Sequence, residues 1–520
     1  MYAYTAAQIR AAEKPLLDAQ DSTDQLMQAA AHAVFEAAET MLAWPTSGAP
    51  NPECNRTLLL VGPGGNGGDA LYAGAELALH GYPVDAWLIT GTAHEPALTA
   101  FKNAGGTLTD DPLSDSTTLY RLTIDGMFGI GGRGGLSLEV GNLLEVLEVY
   151  TDILAVDVPS GVDADSGEVS DIYVTADVTV TFGGWRLAHG LAPECGEQLL
   201  ADVGIPGRTI SDELQAQNNR GELTQIHRAT HAEHQWPASL TRLEAARISG
   251  SAPGPYDNKY TGGVVGICAG SGKYPGAAIL STAGAVKATP GMVRYAGPQA
   301  LEVVRAHPEV VATDSIAEAG RVQVWVYGPG AGTDDPSDLR ELLNTDTDLI
   351  IDADGLTLFA ENEVLRQLVV KRNAVTVLTP HDGEFARLRE AMGLEESNRL
   401  AETKELAATL GCAMVRKGRA TIIVSQPSEA VEVVDTGNSW AATPGSGDVL
   451  AGLMGARLAR DVAKSSPGAS YGLADSVQVH AQAAQLAART EYGEESTSAS
   501  AIAEQIPAAT AKLVQPFRRF

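Results

Sequence analysis

The chain holds only four cysteines in 520 residues, Cys54, Cys195, Cys268 and Cys412, and none forms a CxxC pair. Neither a zinc site nor a disulfide framework is expected from such spacing. His227, His231 and His234 cluster in sequence but lack Cys or carboxylate partners at ligand spacing, so no metal cluster is expected there either. Basic charge is scarce as well: 36 Lys+Arg stand against 65 Asp+Glu, a net charge of −29. That balance argues against nucleic acid or an anionic membrane surface as a partner. No apolar run reaches the ~18 residues of a membrane span. The start, Met1-Tyr-Ala-Tyr-Thr5, has no basic head before an apolar core. A soluble, cytoplasmic protein is the expectation.

What is plentiful is glycine, at 55 residues, in a chain that is 44% hydrophobic. This suits an α/β enzyme with many tight strand-to-helix turns, and the length predicts two or three domains. The most informative stretch is Thr443-Pro-Gly-Ser-Gly-Asp-Val-Leu-Ala-Gly452, a glycine turn opening onto an apolar helical run. Unpaired N–H groups and the positive end of the dipole make a helix start an anion site. Asp448 would repel the anion itself. It is placed to take a proton from, or hold, a hydroxyl lying beside a phosphate. The plain alternative is an N-capping Asp on a glycine-rich loop.

In the first half, Thr5-Ala-Ala-Gln8 has capping-box spacing and should open a helix. A second helix is predicted over Leu26–Ala38. Thr57–Val61 reads as a buried strand, Gly62–Asp69 as a glycine loop, Ala70–Leu79 as a helix and Val84–Ile89 as the next strand. That is a βαβ unit with its loop at the strand's C-terminal end, where open α/β sheets bind ligands. Leu122–Asp125 runs into Gly126–Gly135, and Ile153–Asp157 into Val158–Asp163, in the same way. One parallel sheet would bring all three loops to one rim. Asn66, Asp125 and Ser160 then offer oxygen ligands for a cation, with Asp69 and Asp157 beside backbone amides. Each Asp taken singly reads as a cap or turn residue. Arg133, inside its glycine loop, is a phosphate contact or a solvated turn residue. Asp177–Phe182 is a further strand, and Trp185 a packing residue.

From about Gly207 to Pro255 the pattern loosens and reads as a connection. Beyond it, Gly262–Gly270 is strand-like and Ala277–Lys287 a helix of small residues. Val322–Tyr327 ends in Gly328-Pro-Gly-Ala-Gly332. Leu349–Ile351 leads to Asp352 and Asp354, placed on one side of an extended segment, to hold Mg²⁺ through water or to cap the strand. Ala374–Leu378 leads to Thr379-Pro-His-Asp-Gly-Glu384, and Ala413–Arg416 to Lys417-Gly-Arg-Ala-Thr421. Lys417 is a cation near phosphate or a turn lysine. His480, in an Ala-rich helix, reads as structural.

Taken in this order, Gly65-Asn-Gly-Gly-Asp69, Asp125, Asp157-Val-Pro-Ser-Gly161, Gly328–Gly332, Asp352-Ala-Asp354, Thr379–Glu384, Lys417–Thr421 and Gly445–Gly452 span nearly the whole chain. So arranged, the chain resembles the bifunctional NAD(P)H-hydrate repair enzymes, an epimerase domain followed by an ADP-dependent dehydratase domain. The resemblance implies a Rossmann-like parallel-sheet domain over 1–222 and a ribokinase-like doubly wound domain over 223–520. It implies that the first interconverts R and S hydrates of NADH and NADPH. The second would dehydrate the S form, with ADP yielding AMP and phosphate. It implies K⁺ on Asn66, Asp125 and Ser160. Hydrated nucleotide would lie against Gly65, Asn66, Gly67, Gly68, Asp69, Gly129, Ile130, Gly131, Gly132, Arg133, Gly134, Gly135 and Asp157. In the dehydratase, Ala277, Gly332, His381 and Asp448 would face substrate. Lys417, Gly418, Arg419, Ala420, Thr421 and Gly447 would face ADP, with Mg²⁺ accompanying it. Asp448 would be the base of the first step and Asp157 the leading acid/base residue of the epimerase. A homo-oligomer is also implied. The chain departs from the family pattern at Gly65, where Asn is usual, at Ala70, where Gly is usual, and at Gly355, where Ala is usual. Two other readings remain: a ribokinase-like small-molecule kinase fused to a ligand-binding domain, which usually carries Asn-x-x-Glu where this chain has His381-Asp-Gly-Glu384, and a non-catalytic nucleotide sensor.

Overall fold

The computed structural model describes residues 1–44, 55–113, 120–131, 135–217, 223–232, 234–248, 252–253, 255–288, 291–425, 430–464 and 472–514. The chain forms two compact units: residues 1–226 with 231–243, and residues 227–230 with 244–520.

The first unit is built on an eight-stranded sheet. Across the sheet the strands run Leu240–Arg242, Glu197–Ala201, Val178–Phe182, Asp152–Val156, Leu122–Gly126, Thr57–Val61, Val84–Leu88 and Thr107–Leu108. All neighbours are parallel except the edge strand Leu240–Arg242. Strands such as Thr57–Val61 are buried along their whole length, which is why they read as continuous apolar runs rather than alternating ones. Register pairs Leu60 with Asp125 and Asp125 with Ala155. The loops after the three central strands therefore leave from neighbouring points on one rim. Gln25–Leu42 and Gly65–Leu79 cover one face, burying Ala31, Val34, Ala37 and Ala38 with Leu59, Leu71 and Val156.

Two differences from the sequence reading concern this unit. The helix predicted over Ala70–Leu79 begins five residues earlier, at Gly65, so the glycine loop is largely the helix's own first turn. Glycines at those positions masked the helical signal. The stretch read as a connection also contributes structure. Thr209 caps Ile210–Ala216 with a capping box, and Leu240–Arg242 joins the sheet. Sheet membership set by an edge partner leaves little trace in hydropathy.

Of a ten-stranded sheet the second unit holds nine whole strands, in the order Val431–Asp435, Ala420–Val424, Ala413–Arg416, Thr376–Leu378, Asp348–Ile351, Val324–Tyr327, Val264–Cys268, Met292–Ala296, Val311–Thr313. From Ala413–Arg416 to Val311–Thr313 it is parallel; the hairpin strands 413–416, 420–424 and 431–435 are antiparallel. Pro275–Ala288 and Ser446–Ala463 lie against each other with almost no space between their backbones. A Cβ on Gly452 would sit 1.8 Å from the Ser281 carbonyl oxygen, and one on Gly284 2.1 Å from that of Val449. These two glycines set how closely the helix bearing Asp448 approaches the helix bearing Ala277. Both α/β readings stand. No helix among the described residues is long and apolar enough to cross a membrane.

Candidate functional sites

The first unit carries a cavity of about 640 Å³ at the C-terminal rim of its sheet. Its wall includes Gly65, Asn66, Asp69, Gly129, Ile130, Gly131 and Asp157, all singled out in the sequence. Gly67 and Gly68 lie buried in the same helical turn. Gly132, Arg133 and Gly134 fall outside the described residues, and Gly135 is exposed.

Asp157 sits at φ +67°, a left-handed conformation that costs a non-glycine residue energy and concentrates at functional sites. Its Oδ1 accepts from Thr181 Oγ1 at 2.8 Å and pairs with Arg186 Nη2 at 2.8 Å; its Oδ2 faces the Ile130 N–H at 3.4 Å. Arg186 is 1% exposed. His189 fixes the pair from behind. Its Nδ1 accepts the Arg186 N–H at 3.0 Å, so its Nε2 carries the proton and donates to the Asp157 carbonyl at 2.8 Å. Burial, with Arg186 nearby, pushes the His189 pKa down to about 4 and keeps the ring neutral. Asp69 is buried, and its side chain makes no hydrogen bond or ion pair among the described residues. Burial, then Asp157 and Glu13, raise its pKa well above the carboxylate range. Arg10, Glu13, Thr181, Arg186 and His189 escaped the sequence reading. The one usable signal was a charged Arg186 beside the buried run Val178–Phe182.

Beneath this cavity Asp125 is fully buried. Its oxygens accept the Ser160 N–H at 2.7 Å, the Ser160 hydroxyl at 2.7 Å and the Met127 N–H at 3.2 Å. No cationic side chain is among the groups acting on it, and burial pushes its pKa up to about 6. Asn66 donates through Nδ2 to the Val156 carbonyl at 2.7 Å. A Cβ on Gly129 would lie 2.4 Å from Asn66 Oδ1, so this glycine keeps a small oxygen-lined space open. A buried carboxylate with hydroxyl and amide oxygens but no cation fits a weakly hydrated monovalent ion.

In the second unit Asp448 stands at the third position of Ser446–Ala463, after Gly445 at φ +82°. It is therefore not the N-cap, and its side chain bonds to no described residue. It lines a cavity of about 560 Å³ with Ala277, Gly445 and Asp354. Burial, then the charge of Asp352, push its pKa up to about 7, while Lys417 pulls the other way. Gly447 is helical, and a Cβ there would meet Lys417 Nζ at 3.5 Å, an ordinary contact.

A second cavity of about 260 Å³ lies on the other side of Ser446–Gly447. Lys417, Gly418, Arg419, Thr421, Ser446, Gly447 and His480 line it; Ala420 does not. Arg399 braces the hairpin through the Lys417 carbonyl at 3.1 Å and the Ala420 carbonyl. His480, read as structural, is a wall residue held to Ser446 at 3.1 Å, its pKa lowered to about 4 by burial.

Asp352 and Asp354 were expected on one side of an extended segment. Ala353 instead takes φ +49° and turns the chain between them. Asp352 pairs with Lys417 Nζ at 2.6 Å, whereas Asp354 starts a helix and accepts the Gly332 N–H at 2.9 Å. Gly332 lines a neighbouring cavity of about 550 Å³ that shares Asp354, Lys273 and Tyr274 with the Asp448 cavity. His381 caps Asp382–Met392, accepting the Gly383 N–H at 3.0 Å, and lines none of these cavities.

A parallel-sheet unit with a rim cavity, joined to a doubly wound unit with paired cavities at a glycine-opened helix, defines a two-site α/β nucleotide enzyme. Residues 265–508 match the family described as NAD(P)H-hydrate dehydratase, and residues 23–188 the family described as YjeF-related protein N-terminus. The bifunctional NAD(P)H-hydrate repair enzyme of Corynebacterium glutamicum is 42% identical over 98% of both chains. That of Mycobacterium leprae is 39% identical over 98% of this chain and 99% of the relative. Among solved structures, the ADP/ATP-dependent NAD(P)H-hydrate dehydratase from Bacillus subtilis is 25% identical. It covers 49% of this chain and 94% of its own, with a TM-score of 0.42. The chain belongs to the bifunctional NAD(P)H-hydrate repair enzymes, an isomerase and a lyase on one polypeptide. This displaces the kinase and sensor readings.

Proposed function

We propose that the two units divide the repair between them at the cavities described above. In the second unit, ADP lies along Lys417–Thr421 with its terminal phosphate at Gly447 and Lys417, and the S hydrate reaches Asp448 from the side of Ala277. Hydroxide leaves poorly from C6 of the hydrated ring. Asp448 takes the proton of that hydroxyl as its oxygen attacks the β-phosphorus of ADP, and AMP departs. The helix N–H groups and Lys417 stabilise the charge on the transferring group. Phosphate then leaves, and loss of a proton from the neighbouring carbon restores the double bond. Mg²⁺ supplies charge neutralisation on ADP when bound; Asp354, facing the Asp448 cavity, is the carboxylate available to it, since Asp352 is engaged by Lys417.

In the first unit, the hydrated nicotinamide occupies the 640 Å³ cavity with its phosphates toward 65–69 and 129–135. Asp157 and Asp69 face the ring. Potassium, held by Asn66, Asp125 and Ser160, neutralises the buried carboxylate when bound. The enzyme works in the cytoplasm as a homo-oligomer.

The observation that carries this reading is Asp448 itself: a carboxyl with no hydrogen-bond or ion-pair partner among the described residues, at a helix start, between one cavity holding Lys417 and another holding Ala277. Incubating the protein with R or S hydrate, with and without ADP, and following the absorbance of the reduced ring tests it. S hydrate should give NADH only with ADP, and R hydrate should do so with a lag. Recovery without any nucleotide would overturn the assignment.

A further inference from the structure

We propose that Glu13 is the second proton-transfer group of the epimerase site, working with Asp157 on the hydrate's C6 centre. The inference rests on the reading that the 640 Å³ cavity binds the hydrated ring.

The helix Ala6–Leu17 lies far from the glycine loops in sequence, yet three contacts build it into the cavity wall. Ala3–Tyr4 pairs in parallel with Trp185–Arg186, and Tyr4 lies opposite Arg186. The Ala6 N–H donates to Asp165 Oδ1 at 2.6 Å, just past the Asp157–Ser160 loop. Arg10 donates to the Ile130 carbonyl. Glu13 lies one turn beyond Arg10 and lines the cavity with Asp157 and Arg186. Its carboxyl is half-buried and makes no hydrogen bond or ion pair among the described residues. A structural glutamate in such a wall would be expected to hold one of the two arginines; this one holds neither.

The charges facing Glu13 are Arg186, Asp157, Arg10 and, through the cavity, Asp69. Burial raises its pKa, Arg186 opposes that, Asp157 adds to it and Arg10 opposes it, with the net result upward. Asp157, by contrast, is bound to a guanidinium. Two carboxyls in one cavity thus sit in different surroundings, one on a guanidinium and one without a hydrogen-bond or ion-pair partner among the described residues, an arrangement suited to an acid–base pair.

The step balances as follows. The Glu13 carboxyl gives its proton to the C6 hydroxyl. The C6–O bond breaks with its electron pair going to oxygen, and water leaves. The N1 lone pair forms the C6=N1 iminium. Water adds to the opposite face of C6, its new C–O bond supplied by an oxygen lone pair. Asp157 takes the released proton, and the iminium pair returns to N1. The reverse epimerisation uses the same groups with roles exchanged.

The test uses the full-length protein and separates R and S hydrates chromatographically. Glu13→Gln should lower kcat for epimerisation by at least about 100-fold, with KM changed less than about threefold. It should remove the fall in kcat at alkaline pH that marks loss of the acid's proton. Glu13→Asp should recover part of the rate and keep that limb, even if the Gln variant folds poorly. ADP-dependent dehydration of S hydrate should be untouched in both. Gly65→Phe is the control on the underlying reading. A Cβ there meets nothing within 4 Å, so the ring enters the cavity without a backbone clash. If Gly65→Phe abolishes epimerisation and Glu13→Gln leaves kcat within threefold of wild type, the Glu13 assignment falls alone. If both leave it intact, the cavity is not the site and both readings fall.

Discussion

Replacing Asp448 with Asn should abolish dehydration and at the same time stabilise the fold. Burial and Asp352 push the carboxyl from its ordinary 3.8 to about 7. At about 1.4 kcal/mol per pH unit, holding it ionised costs up to about 4 kcal/mol. The folded-state pKa is raised, so the native protein binds more protons than the unfolded chain between pH 4 and 7. Stability therefore falls as pH rises through that window and stays lowered above pH 7. Asn carries no charge and escapes this cost. At pH 8 the variant should resist urea better than wild type, by as much as about 4 kcal/mol, and at pH 4 the two should converge. A loss of kcat of about 10²–10⁴-fold is expected from removing a general base, equivalent to about 3–5 kcal/mol of barrier. In wild type, log kcat/KM for dehydration should rise with unit slope below pH 7 and level off above it. Urea titrations at several pH values, paired with NADH recovery from S hydrate, measure both halves. Wild-type activity flat from pH 5 to 8, or a variant no more stable at pH 8, would refute the reasoning.

Gly452→Ala should destabilise the second unit by about 3 kcal/mol, because its Cβ would lie 1.8 Å from the Ser281 carbonyl oxygen; thermal unfolding reads this. Arg186→Met should leave Asp157 buried without its cation, lowering stability by about 3–5 kcal/mol and epimerisation with it, as denaturant titration and R/S equilibration would show. Asp125→Asn should make epimerisation insensitive to exchange of potassium for sodium, with a rate loss of at least about tenfold, while dehydration continues. Lys417→Met should raise the KM for ADP and also, by removing the counter-charge, move the pH midpoint of any remaining dehydration upward.

The alternation of buried strands and glycine-rich turns made both sheets legible in the sequence. Asn66, Asp69, Asp125, Asp157, Lys417 and Asp448 all stood at strand ends or helix starts, where backbone geometry alone nominates ligands. What could not be read was which group each of them touches. In the sequence Asp157 reads as a carboxylate beside backbone amides, yet Thr181 and Arg186, 24 and 29 positions later, hold one of its oxygens. Asp352 reads as holding Mg²⁺ through water or capping the strand, whereas the chain turns at Ala353 and Asp352 pairs with Lys417. Hydropathy carries no information about such pairings, because they arise from which strands become neighbours. Glu13 was hidden for the same reason: an amphipathic opening helix says nothing about the cavity it will wall.

The two sites nevertheless arrive at one electrostatic solution. In each, a buried carboxylate is bound to a cation, Asp157 to the buried Arg186 at 2.8 Å and Asp352 to the partly buried Lys417 at 2.6 Å. In each, a non-glycine residue takes a positive φ, Asp157 itself or Ala353 beside Asp352. And in each a neighbouring carboxyl, Asp69 or Asp448, has no hydrogen-bond or ion-pair partner among the described residues and is pushed upward by burial and by the first acid's charge. A cation that bound both acids would hold both ionised and leave nothing to exchange protons near neutrality. Committing the cation to one acid keeps the other titratable. At the second site the engaged acid is therefore as necessary to the proton chemistry as the acid that performs it, while at the first the engaged Asp157 itself exchanges a proton and Asp69 adds to the charge around it.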